Sequence, residues 1–160
     1  MRRKETKLVI EYYYGIPEQL SLLEQERTEL EAEYNGLRGT SYDGMPHGLT
    51  PGKPTEALAE RADEKGIWGR LESVDVRRRV MELDRETIRG CLDSIKGEYK
   101  SILIFRYRDE YSWAKISVRT GVPERTVRRR HERAMERLGE ALAETPMPDE
   151  LFRRASRARV

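Results

Sequence analysis

Five arginines and a threonine crowd into one short stretch of this chain: Arg125, Thr126, Arg128, Arg129, Arg130 and Arg133. A guanidinium stays charged at any physiological pH and presents five N–H donors in a fixed fork, a geometry that suits phosphate oxygens and guanine edges. From Glu124 to Arg133 five arginines face only two glutamates, so the charge here is not self-neutralised. The surrounding residues, Tyr111 to Leu142, have the layout of two short helices joined by a tight turn. Ser112 is a good N-cap, Gly121 supplies the left-handed conformation that ends a helix, and Pro123 pre-sets the backbone for the first turn of the next one. Val127, Ala134, Leu138 and Leu142 recur at spacings of seven, four and four, giving the second helix one apolar stripe. With Trp113, Ile116 and Val118 from the first helix, that stripe predicts a small core built on Trp113, Ile116, Val127, Ala134 and Leu138. Such a helix fits a DNA major groove. Arg125 and Thr126, near its start, are placed to read base edges. Arg128 and Arg129 are placed to read or to anchor, and Arg130 and Arg133 to clamp phosphates. A solvated helical hairpin, with Glu132, Glu136 and Glu140 pairing to arginines at helical spacing, is the structural alternative; RNA or another polyanion is a further one.

The whole chain must position that stretch. Of 160 residues, 37% are hydrophobic and 38% charged, which disfavours a large globular core and favours long amphipathic helices that bury one stripe. Thirty-one basic residues nearly cancel 29 acidic ones, leaving a net charge of +2, so attraction to a polyanion must come from local segregation of charge. No apolar run is long enough to cross a bilayer, and no secretory core follows the Met-Arg-Arg-Lys start. The single cysteine, Cys91, excludes an intrachain disulfide and reads as a small buried side chain. A reducing, cytoplasmic setting in association with DNA is the simplest.

Thr6 to Tyr14 reads as helix that Gly15 and Pro17 should end or kink. Ile16, Leu20, Leu23, Leu30, Tyr34 and Leu37 then follow a coiled-coil-like heptad, broken at Arg27. Gly36 to Pro54 is too rich in Gly and Pro to continue a helix and is long enough to reverse the chain. Thr55 to Met81 is again helical, with Gly66 and Gly69 allowing close packing or a bend. From Asp84, the positions Ile88, Leu92, Ile95, Tyr99 and Ile102 predict one supporting helix leading into the two-helix head. The expected fold is therefore all-α: long helices in a coiled-coil-like antiparallel hairpin, plus a C-terminal helix-turn-helix head. Residues 1–83 form the hairpin or assembly region with its loop at 36–54, residues 84–142 the head with its supporting helix, and residues 143–160 a basic tail. Arg153, Arg154, Arg157 and Arg159 in that tail fit a short helix carrying a phosphate-contacting patch or a solvated end equally well, as Arg2, Arg3 and Lys4 fit a nucleic-acid contact or a frayed terminus.

Ile104-Phe105-Arg106-Tyr107, Lys115-Ile116-Ser117, Gly121-Val122-Pro123, Thr126-Val127 and Arg133-Ala134 with Leu138 stand in the order found in region 4 of sigma-70-type transcription factors, and Ser94 to Leu142 resembles that fold. Two positions depart from the pattern: Lys115 stands where an acid is usual, and Ser117 where a small alanine lets the helices approach. The string Ser41-Tyr42-Asp43-Gly44-Met45-Pro46, set between a helical region and this head, makes residues 10 to 142 resemble the phage late-gene transcriptional regulators of the ArpU and RinA type. That resemblance implies activation of phage or prophage late genes with host RNA polymerase.

No phosphate-binding Gly-rich loop, paired-carboxylate site or metal-ligand cluster is evident, since Pro51-Gly52-Lys53-Pro54 lacks the required spacing and His47 has no companion ligand. We therefore expect no enzyme, no cofactor and no membrane association, with double-stranded DNA and RNA polymerase as partners and a homodimer left open. A phage small terminase subunit and a non-catalytic helical adaptor are the competing readings.

Overall fold

A computed structural model describes residues 2–39, 60–63 and 65–158. Among these there is no strand. Six helices are followed here: α1 (Arg3–Gly39), α2 (Ile67–Asp93), α3 (Gly97–Leu103) with its π-helical continuation Ile104–Arg108, α4 (Trp113–Thr120), α5 (Glu124–Ala143) and α6 (Pro148–Arg157). The chain divides into two compact units, one of residues 18–81 and one of residues 1–17 together with 82–160.

Within residues 18–81, Leu23, Leu30 and Val74 form a buried cluster against which Leu71 and Met81 pack. The direction of pairing is visible in the ion pairs beside it: Glu24 meets Arg78, Glu26 meets Arg77, Arg27 meets Asp75 and Glu33 meets Arg70, so partner numbers fall as residue numbers rise. This is an antiparallel helical hairpin. The charged rungs are exposed and worth roughly 0–1 kcal/mol each, so the leucine and valine seam supplies the stability. Gly66 takes a left-handed φ of 65° in the turn ahead of α2, where its N–H bonds Asp63 O at 2.9 Å. Gly69 lies inside α2 with nothing near its missing Cβ among the described residues, so no close packing is built on it. The string Ser41–Pro46 and His47 fall outside the described residues.

Two expected helix ends do not occur. Helix α1 passes through Pro17. The proline removes the N–H that would bond the Tyr13 carbonyl, at a cost of roughly 3 kcal/mol, but Tyr12 and Ile16 before it and Leu23 and Leu30 after it are buried, and that burial outweighs the loss. The same helix runs over Gly36 to Gly39. Conversely, the supporting helix expected as one piece from Asp84 is two. Ser94 Oγ donates to Cys91 O at 2.7 Å, a local hydroxyl-to-carbonyl bond that competes with the helical ladder, and α2 ends at Asp93. Leu92, Ile95 and Ile102 remain buried on either side of the break, as does Cys91.

In the unit of residues 1–17 and 82–160, Ile102, Ile116 and Val127 form the centre of the head, with Phe105, Tyr111, Trp113 and Val122 packed around them. Val118, expected to face inward, is 85% exposed. It lies two residues from Ile116, about 200° around the helix, so the two cannot share a face. Among the described residues the C-terminal tail is the short helix of the first alternative, with Arg153 and Arg157 exposed on it. It forms α6, whose Leu151 and Ala155 are buried, and Arg154 reaches Asp84 with Nε and Nη2 at 2.8 and 2.6 Å. Tyr12 donates to the same carboxylate at 3.0 Å. Burial first, and then the Asp84 charge, push the Tyr12 hydroxyl well above its ordinary value.

Asp84 is 2% exposed, so removing its guanidinium partner strands a buried charge. Arg154→Leu should cost roughly 3–5 kcal/mol in denaturant unfolding, whereas Asp84→Leu combined with Arg154→Leu should recover most of that loss. A single variant as stable as the parent would show that the pair does not hold α6.

Candidate nucleic-acid interface

The turn between α4 and α5 sets everything that α5 presents. Ser112 caps α4, its Oγ accepting from Lys115 N at 3.2 Å. Gly121 closes the helix with φ 68° and ψ 18°, and Val122 N–H returns to Ser117 O at 3.3 Å. The two departures from the sigma-type pattern have structural uses. Ser117 Oγ donates across the turn to Val122 O at 2.6 Å, and Lys115 Nζ lies 3.7 Å from the centre of the Tyr111 ring. Pro123 sits one residue earlier than a first-turn proline would, at the cap of α5. Its carbonyl accepts from Thr126 N at 2.8 Å and Val127 N at 3.0 Å.

Helix α5 then separates its faces by rotation. Val127, His131, Ala134, Met135, Leu138 and Leu142 are buried. At 100° per residue Arg129 lies roughly 200° round from Val127, and Arg125, Arg129 and Arg133, spaced by four, occupy an outward arc of about 80°. All three are exposed, and no ion pair engages them among the described residues. Thr126 is half-buried at the edge of this arc. The other two arginines leave it. Arg128 turns to Glu124 at 2.6 Å and stands 5.4 Å from the Trp113 ring centre, while Arg130 pairs with Glu98 of α3 at 3.3 Å. Both pairs are solvent-exposed, so either arginine can exchange its carboxylate for a phosphate at little cost. Of the expected core residues, Ile116, Val127, Ala134 and Leu138 are buried, and Trp113 is half-buried between the guanidiniums of Arg106 and Arg128.

Sequence reasoning passed over His131, although it lies four residues after Val127 and seven before Leu138, on the same stripe. Its ring meets Trp113 edge-on at 5.0 Å, and its Nε2 shares a hydrogen bond of 3.1 Å with the Tyr107 hydroxyl. Burial pushes the imidazole down to about 4, with Arg3 and Arg106 acting in the same direction and Glu132 opposing them. The connector before α4 is equally specific. Glu110 adopts a left-handed φ of 53°, Tyr111 N–H bonds Phe105 O at 2.9 Å, and Arg106 donates to Tyr111 O at 2.9 Å.

Residues 85–138 match the family model described as sigma-70, region 4, a helix-turn-helix domain of DNA-binding type. The match spans the end of α2, then α3, the π turn, α4 and most of α5. No curated protein and no solved structure matches the chain.

His131 makes stability depend on pH in a defined direction. Between its ordinary value of 6.5 and its folded value of about 4, the unfolded chain binds a proton that the folded chain refuses, so stability present above 6.5 is lost as pH falls through that window. The melting temperature of the parent should therefore drop more steeply across that interval than that of His131→Phe. Parallel melting curves for the two would remove the neutral buried imidazole from the account.

Proposed function

We propose that this chain is a sequence-specific DNA-binding regulator of transcription that places its α5 helix in the major groove and acts with RNA polymerase at phage or prophage late genes. The observation that carries the DNA reading is the outward arc of Arg125, Arg129 and Arg133, without carboxylate partners among the described residues, on a helix whose opposite side is buried. The sigma-70 region-4 match supports a promoter-directed use of that helix and a contact with polymerase. The late-gene assignment rests on the resemblance of residues 10 to 142 to the ArpU and RinA type of regulator. In this reading Arg125 and Thr126, at the start of α5, and Arg129, one turn on, read base edges. Arg133 holds the backbone, Arg128 and Arg130 swing from Glu124 and Glu98 onto phosphates, and no residue performs a catalytic step.

Arg129→Ala together with Arg133→Ala should weaken duplex binding by roughly 2–4 kcal/mol and flatten its salt dependence. Arg153→Gln on α6, where Arg153 pairs with Glu150 at 3.0 Å, should change neither. Fluorescence anisotropy on duplexes selected from a random pool measures both, and unaltered affinity in a folded double variant would sink the assignment of α5 to the groove. Sedimentation should give a monomer or a dimer; a ring of many copies would instead point to DNA packaging.

A further inference from the structure

The first turns of α1 carry three cations, Arg3, Lys4 and Lys7, with Arg2 just ahead of them and Glu5 the one acid of the first turn. This placement runs against the helix dipole, whose positive end favours acids. Local helix stability does not account for it. The fold shows where these charges stand. Arg3 Nη1 lies 3.4 Å from Glu132 of α5, and Glu132 sits two turns beyond Arg125 and only about 20° round from it, so the start of α1 borders the same outward face. Between α1 and the head opens a cleft of about 780 Å³ whose lining includes Lys4, Lys7 and Arg106 above Tyr107, Trp113 and His131, against Glu11 and Glu110. The side chains of Arg3 and Lys7 are 61% and 53% exposed, and Lys4 is exposed without an ion pair among the described residues.

We infer that the first two turns of α1, together with Arg106, form a second phosphate-contacting flank, which seats the sugar–phosphate strand of the same duplex whose groove α5 enters. This rests on the DNA reading above and adds to it a contact that a two-helix head does not have. A recognition helix in the major groove runs between two phosphate strands. Arg128 beside Trp113 and Arg3 beside Glu132 bring cations to one flank of α5, and Lys4, Lys7 and Arg106 continue them along the cleft wall. Arg3, Lys4 and Lys7 span little more than one turn of α1 and Arg106 belongs to the head, so the cations of this cleft come from two elements, a placement that successive phosphates of one strand can follow. The apolar floor of Tyr107 and Trp113 suits the sugar edge of a strand.

The test uses the full chain and a random-sequence duplex of roughly three helical turns, about 30 bp. Lys4→Gln with Lys7→Gln should leave folding intact, since only the exposed Lys7–Glu11 pair, at 3.5 Å, is lost. It should reduce the slope of log affinity against log salt by about 1.8, near 0.9 for each phosphate released. Lys4→Arg with Lys7→Arg should restore the slope, and the ratio of selected to random affinity should hold in both variants because phosphates carry no sequence. A slope equal to that of the parent, in a glutamine variant that melts normally, overturns the flank while the α5 reading stands. Parent protein that binds no duplex at moderate salt overturns both. Binding of ATP lost in the glutamine variant, with the duplex slope unchanged, assigns the cleft to a small anion and also overturns the proposal.

Discussion

Ile116 and Val127 can meet over Ile102 only because the chain turns sharply between them, and the turn depends on Gly121 holding a positive φ that a side chain would resist. Every orientation on α5 follows from that contact. A helix is a rigid ruler of 100° per residue, so fixing Val127 inward fixes Arg129 outward, Arg128 toward α4 and Arg130 toward α3. The arginines are thereby sorted by the apolar core into an outward set and a set paired with neighbouring helices or turns, before any ligand is present. Pro123 and Ser117 reinforce the corner from either side, one by offering its carbonyl to the first N–H groups of α5 and the other by tying its hydroxyl to Val122.

Polar groups in the interior add definition that the small apolar core does not supply. Asp84 collects Arg154 from α6 and Tyr12 from α1, so three helices share one carboxylate. An apolar patch tolerates sliding, but a buried charge tolerates only the position in which its partners reach it. His131 works in the opposite sense. It stays neutral at the junction of Tyr107 and Trp113, in a setting where Arg3 and Arg106 would oppose a further positive charge. Aromatic packing and cation clustering on that side of the head therefore both favour the neutral imidazole.

The helix-turn-helix was legible because its parts demand residue types: a capping Ser112, a left-handed Gly121, a proline before α5, and an apolar stripe at helical spacing. The antiparallel hairpin was legible for the same reason, from the leucine heptad and the need to cover it. What escaped was decided by packing partners and by local hydrogen bonds that residue type alone does not announce. Pro17 looks like a helix end unless the burial of Ile16 and Leu23 is known. Ser94 looks helical until its hydroxyl takes the Cys91 carbonyl. Arg154 is one arginine among several in a basic tail, and nothing local distinguishes it from Arg153, yet one meets a buried Asp84 and the other an exposed Glu150. Val118 followed apolar type where rotation was the better guide.

Near-neutral overall charge constrains how such a protein can work. With a net charge of +2, long-range attraction to DNA is weak, and affinity must arise from contacts made at close range. One recognition helix reads few base pairs, each good bidentate contact contributing roughly 1–3 kcal/mol, whereas specific sites commonly exceed random DNA by about 4–10 kcal/mol. In the proposed reading Arg125, Thr126 and Arg129 would together supply roughly 3–9 kcal/mol, short of the top of that range. The carboxylates of Glu124, Glu98 and Glu132 hold Arg128, Arg130 and Arg3 in exposed pairs that phosphates can replace. Such exchange adds affinity without adding discrimination, so under the proposed function these pairs contribute nothing to sequence selectivity, which rests on α5.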